Sequence, residues 1–319
     1  MMKNTKRFFA SLCLVLLCSS CTAPADSQES FTNLQAINYG NFGNLAEKAN
    51  GEVYCQAFLC GSEEDEGIVR ICPGEQEIVL SEDVAGLYCY EDELYYTSRE
   101  QNGLYYLPAS GDPVTITDAD VRSVARSGDF LYVVTRDKTD EVEFRLWKKA
   151  MDEDKLMEVT VLPAGIMPEQ VYPSEHGDGV YVVGTTPEQN GPIYFLSETG
   201  ELTWIAEPPE SVQRIFYAYG SLYSVGYEAI YQIGADGACT SISKDFTSLY
   251  TAVCAYHGGI VYPAAGEQTG VVYHNASTGE EKLLSTAPIY LQLYVIEGKL
   301  LGIVNYVDGG PAVEELYGA

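Results

Sequence analysis

Apolar and polar residues alternate along this chain in short segments that recur about every forty residues. The segment from Asp92 to Ile116, DELYYTSREQNGLYYLPASGDPVTI, shows the unit best. An apolar-tyrosine strand is followed by a short loop, a second apolar strand and a glycine turn. A strand repeat of this period is typical of a β-propeller, in which each unit forms one blade of about four strands.

The unit occurs seven times. We mark each copy by one residue, the one that follows the leading apolar residue of the apolar-tyrosine strand. Successive marker residues lie 37 to 49 residues apart. The markers are Tyr54, Tyr95, Tyr132, Tyr181, Tyr223, Val261 and Leu301. The pattern predicts an all-β chain folded as a β-propeller of seven four-stranded blades. A six-bladed ring with one irregular unit is the alternative.

Turn residues and inner segments support this interpretation. In five units the strand after the marker strand is followed by a pair that ends in glycine, and such pairs supply the positive φ of a tight hairpin. The pairs are Pro73-Gly74, Ser110-Gly111, Thr199-Gly200, Asp236-Gly237 and Thr278-Gly279. A less regular segment precedes each marker, and we predict that it forms the innermost strand of its blade.

The two ends of the chain are predicted to meet. The sequence stops at Ala319, so the seventh unit lacks an outermost strand, and residues Ser30 to Ile37 are the candidate that would supply it. Such pairing closes the ring and removes exposed strand edges, which promote aggregation. We therefore expect one propeller domain over residues 31–319.

The first thirty residues have the composition of an export signal and a tether. A basic start is followed by an apolar run from Phe8 to Leu17 and then by Ser19-Ser20-Cys21. Residues 1–20 are predicted to be a lipoprotein-type signal peptide, too short for a membrane span in the mature protein. Cys21 would carry the lipid, and residues 21–30 would form a flexible tether. Cys18 stands where lipoprotein signals usually have Leu, so plain secretion is the alternative.

Charge limits the partners. The chain has 46 acidic and 18 basic residues and a net charge of −28, which becomes −31 when residues 1–20 are removed. Such a charge argues against nucleic acid and against anionic membrane surfaces. It is compatible with cationic peptides, with metal ions, or with solubility alone. We expect a monomer that contacts the bacterial membrane only through its lipid anchor.

The cysteines give a weak signal. Six follow Cys21, namely Cys55, Cys60, Cys72, Cys89, Cys239 and Cys254, and an even number in an exported protein suggests disulfides. However, pairing Val53 with Ile71 places Cys55 opposite Val69 and not opposite Cys72. We therefore predict mostly free, buried thiols and no metal site.

Catalytic motifs are absent from the sequence. It has three histidines and lacks a nucleophile elbow, a zinc-protease motif and a phosphate-binding loop. We predict no catalytic residue and no cofactor. His176 and His257 are expected at equivalent positions on one rim, after the inner strands of the fourth and sixth units. They are either a shared binding feature or polar turn residues.

Arginines on the inner strands are the other candidate ligand-binding residues. Arg122, Arg126 and Arg214 would place positive charge near the channel of an acidic protein, where it could capture an anionic ligand. Ion pairing with acidic blades is the alternative. Tyr217 would stack on a sugar or a peptide, or pack between blades.

Two units, DELYYTSREQNGLYYLPASG and GSLYSVGYEAIYQIGADG, resemble a bacterial family of exported propellers of unknown function. That family is distantly similar to the YWTD propeller of low-density-lipoprotein-receptor-related proteins. The segment NYGNFGNLAEKANGEVY, which starts at Asn38, is similar to the start of the family's domain. No unit reads Tyr-Trp-Thr-Asp, and the resemblance implies fold and export but neither ligand nor catalysis.

We therefore expect a non-catalytic binding or protein-interaction module, outside the cytoplasm, with a protein, peptide or glycan partner at the cell surface. Recognition would involve loops on a rigid scaffold, first Gly61 to Gly67 and Arg136 to Glu143. The alternative is a glycan-acting lyase or hydrolase, which requires Arg126, His176 and Arg214 to converge. A third possibility is an architectural subunit of an envelope complex.

Overall fold

The computed structural model describes residues 45–48, 50–57, 66–72, 75–90, 92–137, 143–153, 155–163, 167–174, 176–185, 191–243, 246, 253–265, 269–286, 290–296, 298–306 and 310–316. Within these ranges the chain forms 27 β-strands and no α-helix. No helix in this part of the chain is therefore long and apolar enough to cross a membrane.

The strands form seven antiparallel sheets, here called blades 1 to 7. Each blade consists of strands that are consecutive along the chain. Blade 1 contains β1 (Leu45–Glu47), β2 (Val53–Gln56), β3 (Ile68–Cys72) and β4 (Glu75–Leu80). Blade 2 contains β5 (Val84–Tyr90), β6 (Glu93–Ser98), β7 (Leu104–Leu107) and β8 (Val114–Thr117). Blade 3 contains β9 (Asp120–Ser127), β10 (Phe130–Asp137), β11 (Glu143–Ala150) and β12 (Met157–Val161).

The second half of the chain continues the same pattern. Blade 4 contains β13 (Met167–Pro173), β14 (Gly179–Thr185), β15 (Ile193–Ser197) and β16 (Leu202–Ala206). Blade 5 contains β17 (Arg214–Ala218), β18 (Ser221–Val225), β19 (Ile230–Ile233) and β20 (Cys239–Ser241). Blade 6 contains β21 (Cys254–Tyr256), β22 (Gly259–Ala264), β23 (Gly270–Asn275) and β24 (Glu281–Ser285). Blade 7 contains β25 (Tyr290–Ile296), β26 (Lys299–Tyr306) and β27 (Gly310–Leu316).

The blades are arranged in a ring, with the first strand of each blade innermost. The first strands of neighbouring blades contact one another, as β9 does with β13 and β21 with β25. β25 of blade 7 also contacts β1 of blade 1, so the first and last blades are neighbours. Tyr294 and Leu301 of blade 7 share a buried apolar cluster with Leu45 and Val53 of blade 1. The seven-bladed β-propeller predicted from the repeat is confirmed.

Blade 7 has three strands within the described residues. The segment predicted to complete it, Ser30 to Ile37, lies outside the described residues, as do the predicted signal peptide, Cys21 and the tether.

The marker residues lie on the second strand of every blade, and the tyrosines among them pack the blades together. Tyr54 of blade 1 shares a buried cluster with Leu87 of blade 2. Tyr95 of blade 2 shares the next buried cluster around the ring with Leu131 of blade 3. Tyr132 of blade 3 packs with Val171 and Val180 of blade 4. The repeated tyrosine therefore fills the space between one blade and the next.

The hydroxyl groups of these tyrosines differ from blade to blade in whether they have a hydrogen-bond partner. The Tyr54 hydroxyl donates to Glu52 Oε2 at 3.1 Å, and the Tyr95 hydroxyl donates to Glu93 Oε2 at 2.9 Å. Burial and the neighbouring carboxylate raise the pKa of both tyrosines. Tyr132 is fully buried, its hydroxyl has no hydrogen-bond partner among the described residues, and burial raises its pKa to about 12.

The turn prediction is confirmed where the structure describes it. Gly111, Gly200, Gly237 and Gly279 all have positive φ, between 69° and 101°. Each lies in the turn between the third and fourth strands of its blade, where a left-handed residue reverses the chain. The Pro73-Gly74 pair lies outside the described residues.

The cysteine prediction is confirmed for Cys89 and Cys254, confirmed in part for Cys239 and wrong for Cys55. Cys89, Cys239 and Cys254 form no disulfide; Cys89 and Cys254 are buried, whereas Cys239 is half-buried. Burial raises the pKa of Cys89 to about 12. Cys55 is instead disulfide-bonded, and the side chain of its partner is not among those described. The predicted register is correct, with Cys55 opposite Val69. The bond therefore joins residues that the strand ladder does not pair directly, which is why the alternation pattern missed it.

We predict opposite outcomes for two equivalent tyrosine substitutions. Tyr95→Phe removes a hydroxyl that donates to Glu93, so the free energy of unfolding should fall by about 0.5–1.5 kcal/mol. Tyr132→Phe removes a buried hydroxyl that has no described partner, so stability should be unchanged or higher. Urea unfolding of both variants and the parent protein tests this. Equal losses in the two variants would contradict it.

Candidate functional site

The turns of the blades define two faces of the ring. Because neighbouring strands are antiparallel, the turns between first and second strands and between third and fourth strands lie at one face, here called the hairpin face. Turns of adjacent blades approach closely there. A Cβ atom on Gly128, in the β9–β10 turn, would lie 2.6 Å from the carbonyl oxygen of Gly177, in the β13–β14 turn.

The hairpin face carries a groove between blades 4 and 5, here called the Trp204 groove, with a volume of about 420 Å³. Blade 4 contributes Tyr181, Trp204 and Ile205, and blade 5 contributes Tyr217, Gly220, Ser221, Leu222, Ile233, Gly234, Ala235 and Asp236. Aromatic rings from two blades thus line one concavity.

Trp204 is the most accessible aromatic side chain of this groove. It lies on the outermost strand β16, opposite Tyr194, and 52% of its surface is exposed. Its indole ring lies beside Gly237 in the β19–β20 turn of blade 5. An exposed, flat apolar side chain beside a concavity is a platform on which another flat apolar surface can stack.

Polar groups at the rim of the groove are held in place by local hydrogen bonds. Asp236 Oδ1 accepts the backbone N–H of Ala238 at 3.0 Å. The Ser221 hydroxyl oxygen accepts Gln232 Nε2 at 2.9 Å. The groove therefore combines an apolar wall with a few fixed polar groups, the usual composition of a small-ligand site.

A second concavity on the hairpin face, here called the blade 6 groove, has a volume of about 230 Å³. Its lining consists of Tyr256, His257, Tyr273, Asn275, Glu280, Lys282 and Leu284. All seven belong to blade 6 or to its turns.

The two predicted histidines lie at the hairpin face but in different blades. His257 is the first residue of the two-residue β21–β22 turn, with φ of 45°, and Gly258 follows with φ of 78°. His176 precedes Gly177 in the longer β13–β14 turn. Both side chains are exposed, and blade 5 lies between their blades. Only His257 lines one of the two grooves.

Arg126 lies close to the turn that contains His176. It is near the end of β9, and its Nε donates to the carbonyl oxygen of Gly128 at 3.0 Å. Gly128 in turn contacts Gly177, the neighbour of His176. The structure therefore places Arg126, near the end of β9, close to the turn that contains His176.

Arg122 occupies the other half of β9. Its side chain is 45% exposed, and Nη1 lies 3.9 Å from Asp120. Asp120 is held more closely by Arg136, whose Nη2 is 2.7 Å from Oδ2. Because the Arg122 side chain is largely exposed and the contact is long, this ion pair contributes little to stability.

Arg214 is buried and distant from the hairpin turns. Only 3% of it is exposed, and it is the first residue of β17, at the end of the strand opposite the turn. Four residues of strand separate it from the turn by roughly 13 Å. Burial lowers its pKa to about 10, with the side chains of Tyr294, Cys254 and Tyr172 acting in the opposite direction. The convergence of Arg126, His176 and Arg214 that an enzyme would require is not seen.

The loops singled out from the sequence, Gly61 to Gly67 and Arg136 to Glu143, connect second strands to third strands. Most of each loop, residues 61–65 and 138–142, lies outside the described residues. Within the described residues, no cluster of three His, Cys, Asp or Glu side chains could hold a metal ion.

Tyr217 is the one predicted site residue that lines the Trp204 groove. Its strand β17 gives it a half-buried position at the inner end of blade 5, and the Tyr172 side chain of blade 4 lies beside its backbone. Sequence reasoning missed Trp204, Tyr181 and Asp236. Trp204 carried a usable signal, because a tryptophan on the outermost strand of a blade has no further strand to cover it.

No protein-family model matches the sequence, and no curated protein matches it. Solved structures do match. A puromycin hydrolase mutant complexed with PGG is 14% identical, with a TM-score of 0.62 over 92% of this chain and 55% of that one. An oligogalacturonate lyase from Vibrio parahaemolyticus is 12% identical, with a TM-score of 0.62 over 86% of this chain and 88% of that one.

The CNH domain of AfRom2 is 12% identical, with a TM-score of 0.57 over 88% of this chain and 95% of that one. At these identities the likeness shows the fold alone. The chain spans little more than half of the puromycin hydrolase. Fold and site together define a seven-bladed β-propeller whose hairpin face carries, within the described residues, the Trp204 groove and the blade 6 groove.

We predict that Gly237 is required for the Trp204 groove. In Gly237→Ala the new Cβ would lie 2.6 Å from the carbonyl oxygen of Ile205, in a backbone with φ of 81°. Gly279→Ala, in the corresponding turn of blade 6, meets the positive φ but no atom within 4 Å. Gly279→Ala should lower the free energy of unfolding by about 1 kcal/mol. Gly237→Ala should lower it by about 3 kcal/mol, because overpacking is added.

Urea unfolding of the two glycine variants measures the difference. Equal losses would show that the β19–β20 turn can move away from blade 4, contrary to the prediction.

Proposed function

We propose that this protein is a non-catalytic, extracytoplasmic glycan-binding module, anchored to the bacterial membrane by a lipid on Cys21. The glycan would bind in the Trp204 groove. The resemblance of the sequence to a family of exported propellers supports the proposed location outside the cytoplasm.

The observation that carries the proposal is the exposure of Trp204 beside a groove that contains Tyr181 and Asp236. A sugar ring has apolar C–H faces and hydroxyl groups at its edge. The faces can stack on the indole, and the hydroxyls can donate to the carboxylate. Covering roughly 60 Å² of apolar surface would contribute about 1.5 kcal/mol.

Charge favours an uncharged glycan. The net charge, −28 for the whole chain and −31 without residues 1–20, generates a field that repels anionic chains. The oligogalacturonate lyase carries a name that associates this fold with a glycan, but at 12% identity that association does not extend to its substrate or its reaction.

Affinity electrophoresis tests the glycan proposal. The purified protein is run through gels that contain soluble starch, hydroxyethylcellulose, galactomannan or xylan, with polygalacturonate as the anionic comparison. We expect retardation by at least one neutral polymer, and Trp204→Ala should weaken it at least tenfold, or about 1.4 kcal/mol.

Val114→Ala is the matched control, because Val114 is 51% exposed on the outermost strand of blade 2. It should behave like the parent protein. Absence of retardation in every neutral gel, or equal retardation of the Trp204→Ala variant, would contradict the proposal.

Lipid anchoring has a separate test. The N-terminal sequence predicts that Cys21→Ser abolishes incorporation of labelled palmitate and moves the protein from the membrane to the soluble fraction. Cys18→Ser, three residues earlier, should leave both properties unchanged. An unlabelled, soluble parent protein would exclude the anchor without affecting the glycan proposal.

A further inference from the structure

We infer that the blade 6 groove is a second saccharide site, so that the hairpin face binds a long neutral glycan chain at two points. This inference rests on the proposed glycan-binding function and adds a site and a preference for polymers.

The groove uses one side of the outer half of blade 6. Tyr273 and Asn275 alternate along β23, and Lys282 and Leu284 alternate along β24, with Tyr273 directly opposite Lys282. Glu280 immediately precedes β24 and lies on the same side. Residues two apart on a strand face the same way, so these side chains form a continuous surface. Its volume of about 230 Å³ is below that of drug-sized pockets and suits a single sugar ring.

The surface is divided into apolar and polar parts. Tyr256, Tyr273 and Leu284 provide apolar area, and Glu280 and Lys282 are exposed, oppositely charged side chains two residues apart. One positive and one negative charge leave the groove without net charge. A neutral ligand with many hydroxyl groups can use both charged side chains as hydrogen-bond partners.

His257 places an exposed imidazole beside the groove. Its φ of 45° and that of Gly258, 78°, are the positive values that a two-residue hairpin turn requires, and histidine adopts them more readily than most residues. The same turn in blade 5 has Tyr219, which packs against the core, whereas the His257 side chain is exposed to solvent.

Two contacts hold His257 in place. The Tyr273 hydroxyl donates to the His257 carbonyl oxygen at 2.8 Å, and the imidazole packs edge-on against Tyr256 with ring centroids 4.1 Å apart. The imidazole is thus fixed at the mouth of the groove.

Both grooves open at the hairpin face, one between blades 4 and 5 and the other in blade 6. A polymer held in one groove presents its remaining units to the other at a high effective concentration, which raises overall affinity. The two sites should therefore favour long chains over single sugars.

The test uses the same polysaccharide gels and a paired substitution, Glu280→Ala with Lys282→Ala, which keeps the net charge constant. We expect this variant to weaken retardation at least fivefold in the gel that retards the parent protein. Combination with Trp204→Ala should abolish retardation. The control pair, Glu153→Ala with Lys155→Ala, is also exposed and two residues apart, in the third-to-fourth-strand turn of blade 3, and should have no effect.

The outcomes separate the two proposals. If Trp204→Ala weakens retardation and the Glu280/Lys282 variant matches the parent, the second site is wrong and the glycan-binding function stands. If no neutral polymer retards the parent protein, the proposed function fails and the second site fails with it.

His257→Asn distinguishes a binding role from a structural one. Asparagine adopts positive φ easily, so the melting temperature should be unchanged or higher, while retardation should weaken at least fivefold. A lower melting temperature with unchanged retardation would assign His257 to turn structure and overturn its place in the site.

Discussion

Packing of each sheet against the next is the constraint on which the rest of the structure depends. A four-stranded sheet with apolar residues on both faces is stable only if both faces are covered, and a ring of such sheets covers all of them. The second-strand tyrosines provide much of the packing between neighbouring blades. Burial of a side chain of this size contributes roughly 1.5–3 kcal/mol before conformational entropy is subtracted. Contact between β25 and β1 extends the packing to the last pair of blades.

The grooves arise where this packing stops at the hairpin face. Gly237 allows the β19–β20 turn to approach Ile205 and Trp204 without a Cβ atom between them, so blade 5 forms one wall of the groove and blade 4 the other. In blade 6 the Tyr273 hydroxyl ties the β21–β22 turn to the third strand and leaves the groove beside it. Rigid blades thus hold exposed aromatic and polar side chains at fixed positions.

Some of the acidic side chains form ion pairs with an arginine of the same blade. Arg70 pairs with both Glu52 and Glu77, and Arg145 pairs with both Glu143 and Glu158. Carboxylates also accept backbone hydrogen bonds, as Glu210 does from the amides of residues 227–229 in the β18–β19 turn. Arg70 and Arg145 therefore stabilise individual sheets, and the remaining negative charge shapes the field that a ligand meets.

Sequence alone determined the order of the strands within each blade, the marker tyrosines and the glycine turns, and it favoured seven blades over six. These features follow from local rules, since alternation with a period of two defines a strand and turn residues define its end. The register of Val53 with Ile71 was predictable for the same reason. Only the tertiary structure decided that Trp204 lies beside Gly237, that Arg214 is buried near Tyr172 and Tyr294, and that Cys55 forms a disulfide. Most of these contacts join residues of different blades, so their geometry depends on how the ring curves, and no local pattern in the sequence encodes that curvature.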